Sequence, residues 1–256
     1  MSYLVKKAAV PVKLDAAWDS PAWSNAVELK LDYVFDRSSP HHPDTRIKML
    51  YDNRNVYGLF QVKDQYVKAV AEKNQDQVCR DSCVEFFVKP ANAERYFNFE
   101  MNCGGKILLY HVRNCRSGDY IPVPADDLAT IELFHTLPER ITDEITEPVT
   151  WRLGFRIPVA FFVKYSVRNG RRTSRNARTP PRIRTGSRGR RYQNATSICR
   201  IISVNWLSNK NRIAEAGKKN SFSLQPGIEI ILLGVIIYQC HVSPTLRFQP
   251  NRRILD

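Results

Sequence analysis

Apolar and polar residues alternate with a period of two in several short runs along the first two-thirds of the chain. This period places every second side chain on one face of a β-strand, so each run predicts a strand with one face on a core. Short strands at this spacing, joined by turn-forming residues, predict an antiparallel β-sandwich of the immunoglobulin or jelly-roll kind. The predicted strands cover residues 27–35, 46–51, 56–63, 84–89, 96–102, 106–112 and 150–157.

Two of the predicted hairpins have recognisable turns. Asp52-Asn-Arg-Asn55 separates one pair of strands, and Gly104-Gly105 separates another. The pattern is briefly helical in residues 65–75 and 158–165. Among the tryptophans, Trp151 begins an alternating strand and is predicted to lie in the core, whereas Trp18 and Trp23 are predicted to pack an edge of the sandwich.

Charge divides the chain into two chemically different parts. The whole chain has 39 basic and 25 acidic residues, a net charge of +14. Residues 1–163 hold 20 basic and 22 acidic residues, a net of −2, and residues 164–256 hold 19 and 3, a net of +16. We therefore expect a β-sandwich domain over residues 1–163, followed by a basic C-terminal region over residues 164–256.

The stretch 168–191 contains ten arginines, no lysine and no acidic residue. Three explanations fit this composition. The first is out-of-frame translation, and the second is a disordered native linker or tail. The third is an arm that binds phosphate backbones electrostatically. The last explanation gives the alternative function, which is nonspecific nucleic-acid binding through residues 168–191.

Several protein classes are excluded by what the sequence lacks. No run reaches 18 apolar residues, and the N-terminus has no apolar core of a signal peptide, so we expect no membrane partner and a cytoplasmic location. The six cysteines contain no CxxC pair. Cys79, Cys83, Cys103 and Cys115, with His111, lack the spacing of a zinc site, so we expect buried thiols and no metal.

Five sequence blocks carry a resemblance to a known family. They are Trp18 to Trp23, MLYDNRNVYGLFQVKD, DSCVEFFVKP, YFNFEMNCGGKIL and WRLGFRIPVAFF. In this order they resemble the carbohydrate-binding family 9-like domain of xylanase-associated modules, over residues 10–163. The family pattern stops there, which implies that the sandwich of residues 1–163 is incomplete at its end. The resemblance implies non-catalytic binding of oligo- or polysaccharide in carbohydrate catabolism, next to O-glycosyl hydrolases. It also implies a structural calcium ion, for which the sequence has no D-x-D-x-D-G loop, and no other cofactor.

The resemblance places the sugar site on Glu85, Asn98, Glu100 and Asn102. Carboxylate and amide groups suit this role because each can meet two adjacent hydroxyls. The alternative is the solvated face of an amphipathic strand. The family's two clamping tryptophans have no clear counterpart, since Gln77–Arg80 replaces one and Trp206 is the single tryptophan near the other, so we expect weak binding. Asp81 and Glu85 could pair for glycoside hydrolysis, but no catalytic apparatus is apparent.

Overall fold

The computed structural model describes residues 2–31, 41–90, 93–115, 117–167, 195–200, 203–206, 222–225 and 228–240. Most of these residues lie in strands, which are β1 (Ser2–Lys7), β2 (Glu28–Leu31), β3 (Asp44–Tyr51), β4 (Asn55–Asp64), β5 (Val67–Ala69), β6 (Cys83–Pro90), β7 (Tyr96–Asn102), β8 (Ile107–Asn114), β9 (Asp119–Pro122), β10 (Glu132–His135), β11 (Ile141–Ile145), β12 (Val149–Pro158), β13 (Ala195–Arg200), β14 (Ser203–Trp206), β15 (Phe222–Gln225) and β16 (Ile228–Cys240). The helices of these ranges are short: α1 (Ala125–Leu128), α2 (Val159–Val167) and a 3-10 turn (Val78–Arg80).

The first sheet runs in the order β10–β12–β4–β3–β1–β14, with β2 also paired to β3. Its central strands β12, β4 and β3 are antiparallel, whereas β1 pairs in parallel with β3 and β14. The first predicted hairpin is confirmed as β3 and β4. In its turn, Asp52 Oδ1 accepts hydrogen bonds from the backbone N–H groups of Arg54 and Asn55, both at 2.7 Å, which explains why the chain reverses there.

The second sheet runs in the order β13–β16–β6–β7–β8–β9, with β15 also paired to β16. All of these neighbours are antiparallel. The second predicted hairpin is confirmed as β7 and β8. Its turn contains Gly105 at a φ of 81°, in the left-handed region that glycine adopts without steric cost.

Side chains of the two sheets meet in one apolar core. Phe86 of β6 lies 5.2 Å from Phe155 of β12 between ring centroids, so the two sheets are in direct contact. Trp151 is 1% exposed, and its indole N–H donates to Asp64 Oδ2 at 3.1 Å, which confirms its predicted core position. The predicted class, an all-β antiparallel sandwich, is confirmed.

The two helical predictions have opposite outcomes. The helical prediction for residues 158–165 is confirmed from residue 159 onward as part of α2, whereas Pro158 is the last residue of β12. The helical prediction for residues 65–75 is wrong, because β5 lies there and pairs with β11 in a two-stranded sheet. Val67 and Ala69 are fully buried on one face of β5, and an alternation of three residues is too short to show a period in the sequence.

The N-terminal tryptophans cover a face of the first sheet rather than an edge. Trp18 and Trp23 are 6% and 1% exposed and pack with Leu50, Tyr57 and Leu59 in a cluster separate from the main core. The edge prediction is corrected for a physical reason. β3 and β4 carry apolar side chains on both faces, so the outer face of their sheet also needs a cover.

The region after residue 163 contributes the end of α2 and the strands β13 to β16. The domain division at residue 163 and the origin of residues 164–256 stay predictions. The arginine-rich stretch 168–191 lies outside the described residues. In the described ranges, no helix is long and apolar enough to cross a membrane. The cytoplasmic location stays a prediction.

Candidate functional site

The outer face of β6, β7 and β8 carries the polar residues singled out from the sequence. Strand periodicity puts Phe97 and Phe99 of β7 in the core and turns Asn98 and Glu100 to the opposite face. Cross-strand register then aligns this face over three strands. Glu85 of β6 lies directly opposite Glu100, and Asn98 lies between Phe87 of β6 and Tyr110 of β8. We call this surface the outer polar face.

Glu85 and Glu100 form a buried carboxyl pair. They are 2% and 8% exposed, and directly opposed residues of an antiparallel pair have Cβ atoms about 4.5–5.5 Å apart. Burial raises the pKa of Glu85 well above its usual range, and the neighbouring Glu100 raises it further. Burial also raises the pKa of Glu100 to about 7, against the opposing effect of its hydrogen bond from Asn98. The pair therefore holds a proton at mildly acidic pH.

Asn98 and Glu100 leave hydrogen-bonding capacity unused. Asn98 Nδ2 donates to Glu100 Oε1 at 2.7 Å. Asn98 Oδ1 and Glu100 Oε2 are buried and have no hydrogen-bond partner among the described residues. Asn98 Oδ1 accepts hydrogen bonds, and Glu100 Oε2 accepts them when Glu100 is ionised, so a group that completes this site must then supply donors.

Asn102 lies on the same strand but is fully buried, and its amide is engaged on both sides. Its Nδ2 donates to Asp81 Oδ2 at 2.8 Å, and its Oδ1 accepts from the backbone N–H of Lys106 at 2.7 Å. Asp81, 1% exposed, also accepts from the backbone N–H groups of Val70 and Ala71 at 2.9 and 3.1 Å. This network ties the turn of the second hairpin to the segment after β5.

Aromatic side chains flank the outer polar face, and sequence reasoning missed them. Phe87 and Tyr96 pack at 6.2 Å between ring centroids on one side, and Tyr110 and Tyr120 pack at 4.9 Å on the other. Tyr120 is 47% exposed. The signal for Tyr96 was present, since it lies two positions before Asn98 on the same face. Tyr110 and Tyr120 reach the site through strand register, which the sequence does not display.

Metal binding finds no support in the described part of the chain, where no group of three or more His, Cys, Asp or Glu side chains could hold an ion. Calcium stays an expectation from the resemblance. Among the thiols, Cys83 and Cys103 are buried as predicted, but Cys79 is half-buried and Cys115 is exposed. Cys79 lies in the middle of the 3-10 turn, and Cys115 directly follows the end of β8.

One family model and three solved structures that match this chain are described as carbohydrate-binding. The family model of carbohydrate-binding family 9 matches residues 22–178, more than half of the chain. The chain is similar to the crystal structure of a protein from Bacteroides uniformis ATCC 8492 to which carbohydrate binding has been attributed. The TM-score is 0.57 and the identity 27%, covering 64% of this chain and 76% of that one.

Two further similar structures are a family 9 carbohydrate-binding module from Caldicellulosiruptor kristjanssonii in different complexes. The complex with glucose has a TM-score of 0.41 and 12% identity, covering 61% of this chain and 69% of that chain. The complex with cellotriose has a TM-score of 0.42 and 14% identity, covering 62% and 68%. Among curated proteins, no sequence matches this chain.

Proposed function

This chain belongs to carbohydrate-binding family 9, and we propose that it binds its carbohydrate on the outer polar face. The function is carbohydrate binding without catalysis. In the proposed site, Glu85, Asn98 and Glu100 meet sugar hydroxyls. Asn102 supports the site and does not contact the sugar, because its amide is hydrogen-bonded to Asp81 and to the backbone of the turn.

One observation carries this proposal. Asn98 Oδ1 and Glu100 Oε2 are buried acceptors without a partner in the described residues, and they lie between aromatic side chains. A buried polar atom without a hydrogen bond costs about 1–3 kcal/mol, which a sugar hydroxyl would recover by donating to it. Pyranose rings also present apolar C–H faces, which pack against aromatic rings such as Tyr96 and Tyr110.

The expected affinity is low. Each neutral hydrogen bond to a hydroxyl contributes about 0.5–1.5 kcal/mol, and a charge-assisted bond contributes about 1.5–3 kcal/mol. Without two clamping tryptophans we expect binding of neutral sugars on the order of millimolar, about −4 kcal/mol. The proposed partner is an oligo- or polysaccharide.

Nuclear magnetic resonance titration tests the proposal, because it detects binding this weak. Gluco- and xylo-oligosaccharides are added to the full chain while the side-chain amide of Asn98 and the backbone amides of β6 to β8 are followed; the backbone amides report binding in the Asn98→Ala variant. We expect saturable shifts in the wild-type protein. Asn98→Ala and Tyr110→Ala should each weaken binding by about 2–12-fold, the range of one lost neutral hydrogen bond.

Asn53→Ala is the matched control, since Asn53 is an exposed asparagine in the turn between β3 and β4 of the other sheet. It should leave the affinity unchanged. Absence of shifts with every sugar would overturn the proposal. Nucleic-acid binding through residues 168–191 stays a prediction. A short RNA that bound with steep salt dependence would support it, because released counterions make phosphate contacts sensitive to salt.

A further inference from the structure

The outer polar face contains two buried carboxyl groups and, in the part of the chain that the structure describes, no basic group that compensates them. Glu85 and Glu100 oppose each other across β6 and β7, and neither forms an ion pair with a lysine or arginine in the part of the chain that the structure describes. Buried carboxylates are normally paired with a cation, because an isolated buried charge is costly. Because Glu85 and Glu100 lack such a cation, we expect one to come from outside the described residues.

Neighbouring basic side chains are committed to other acids. Arg95 Nη2 donates to Asp119 Oδ1 at 2.5 Å, Lys106 Nζ to Glu139 Oε2 at 2.8 Å, and Arg113 Nη2 to Glu94 Oε2 at 2.6 Å. Lys89 shares the strand and face of Glu85 but lies four residues away, about 13 Å along a strand. None of these groups is placed to neutralise the pair.

Among the described residues, the neighbours of the pair on β7, β8 and β16 supply no cation. Tyr96 and Tyr110 lie on the same face, and burial raises the pKa of both, that of Tyr96 to about 12, so their phenols stay neutral. On the other side of β6, the register positions opposite Phe87 and Glu85 are Gly234 and Ile236 of β16, and neither residue type ionises.

The unused hydrogen-bonding groups of the site also favour a positively charged donor. Asn98 Oδ1 and Glu100 Oε2 are both unfilled acceptors. A hydroxyl brings one donor, whereas an ammonium group brings three donors and a positive charge. A carboxylate brings acceptors alone and the same sign of charge as the pair.

We infer that the outer polar face selects a carbohydrate carrying an ammonium group, of the 2-amino-2-deoxy sugar class, and rejects uronic acids. The inference rests on the proposed function, because it assigns a ligand class to the same site. The ammonium donates to Glu100 Oε2 and Asn98 Oδ1 and takes the place of the proton that the carboxyl pair otherwise holds. Specificity then comes from attraction to one class and from repulsion of another.

The test compares three monosaccharides of similar size at about pH 6.5, where the amine is charged and the pair is partly ionised. Glucosamine carries the ammonium, N-acetylglucosamine carries a neutral acetamido group on the same carbon, and glucuronate carries a carboxylate. Glucose serves as the neutral reference. We expect glucosamine to bind about tenfold more tightly than glucose, the difference between a charge-assisted and a neutral hydrogen bond. N-acetylglucosamine should match glucose or bind more weakly, and glucuronate should give no saturable shift.

Glu100→Gln and the double variant Glu85→Gln/Glu100→Gln assign the preference to the carboxyl pair. Each variant keeps the shape of the side chains and removes the carboxylate that accepts from the ammonium, so the ratio of glucosamine to glucose affinity should fall to within about twofold of one. Glu147→Gln, an exposed carboxyl in the connection from β11 to β12, is the matched control and should keep the wild-type ratio. Two variants are used so that failure of one to fold leaves the other to decide.

The outcomes separate this inference from the proposed function. Equal binding of glucosamine and glucose would overturn the ammonium inference and leave carbohydrate binding intact. A glucosamine preference that survived both glutamine variants would also overturn it, because the charge would then lie elsewhere. If no sugar of any class shifted the Asn98 amide, the proposed function itself would fail.

Discussion

Replacing Glu100 by glutamine should stabilise the folded protein at alkaline pH and not at acidic pH. Glu100 is 8% exposed, and burial raises its pKa from 4.5 to about 7. Ionising this carboxyl is therefore costlier in the folded protein than in the unfolded chain. One pKa unit corresponds to about 1.4 kcal/mol, so the cost is about 3 kcal/mol.

The direction of the pH dependence follows from proton binding. Between about pH 4.5 and pH 7, the folded protein binds more protons at Glu100 than the unfolded chain does, so stability falls as pH rises through this window. The stabilising contribution is complete below the lower value and lost above the higher one. Glutamine resembles the protonated acid and keeps an oxygen that accepts from Asn98 Nδ2. Glu85 should also ionise more easily once its neighbour is neutral.

Urea unfolding followed by tryptophan fluorescence measures this effect, because Trp23 and Trp151 are both 1% exposed in the folded protein. At about pH 5 the variant and the wild type should differ by less than about 0.5 kcal/mol, and at about pH 8 the variant should be more stable by about 2–3 kcal/mol. Glu147→Gln at an exposed position should change stability by less than about 0.5 kcal/mol at both pH values. A Glu100→Gln difference that is the same at both pH values would refute the raised pKa of the buried pair.

Two further predictions address the support of the site and the packing of the sheets. Asn102→Ala should lower the free energy of unfolding by about 2–3 kcal/mol, because it removes a charge-assisted bond and leaves Asp81 underbonded, whereas Asn98→Ala should cost less than about 1 kcal/mol. Urea midpoints compare the two, and equal losses would contradict a supporting role for Asn102. Gly58→Ala should destabilise by about 1–3 kcal/mol or more, since its Cβ would lie 2.2 Å from the Phe155 ring. Gly154→Ala, whose closest contact would be Leu14 Cδ1 at 3.1 Å, is the milder control in the same thermal melt, and a Gly58→Ala protein as stable as this control would contradict the packing.

The sequence by itself determined the strands that form the site and the direction of their faces. A period of two is a property of the strand backbone, so the alternation in residues 96–102 separates Phe97 and Phe99 from Asn98 and Glu100 without knowledge of any partner. The same local information identified the turn at Asp52 and the helix over residues 159–165, because these depend on neighbours in the chain.

Tertiary structure decided what each polar residue of that face can do. The alternation marks Asn98 and Asn102 as equivalent. The side-chain amide of Asn102, however, is hydrogen-bonded to Asp81, which lies 21 positions away in the chain. Likewise, the opposition of Glu85 to Glu100 and of Asn98 to Tyr110 exists only in one strand register.

Burial of the carboxyl pair, and the raised pKa that follows from it, is also a consequence of assembly. The same holds for β5, whose three residues become a strand through pairing with β11. The alternating pattern specifies which way a side chain points along its own strand. The partners that it meets there are set by contacts between distant segments, because packing and hydrogen bonding act through space and not along the chain.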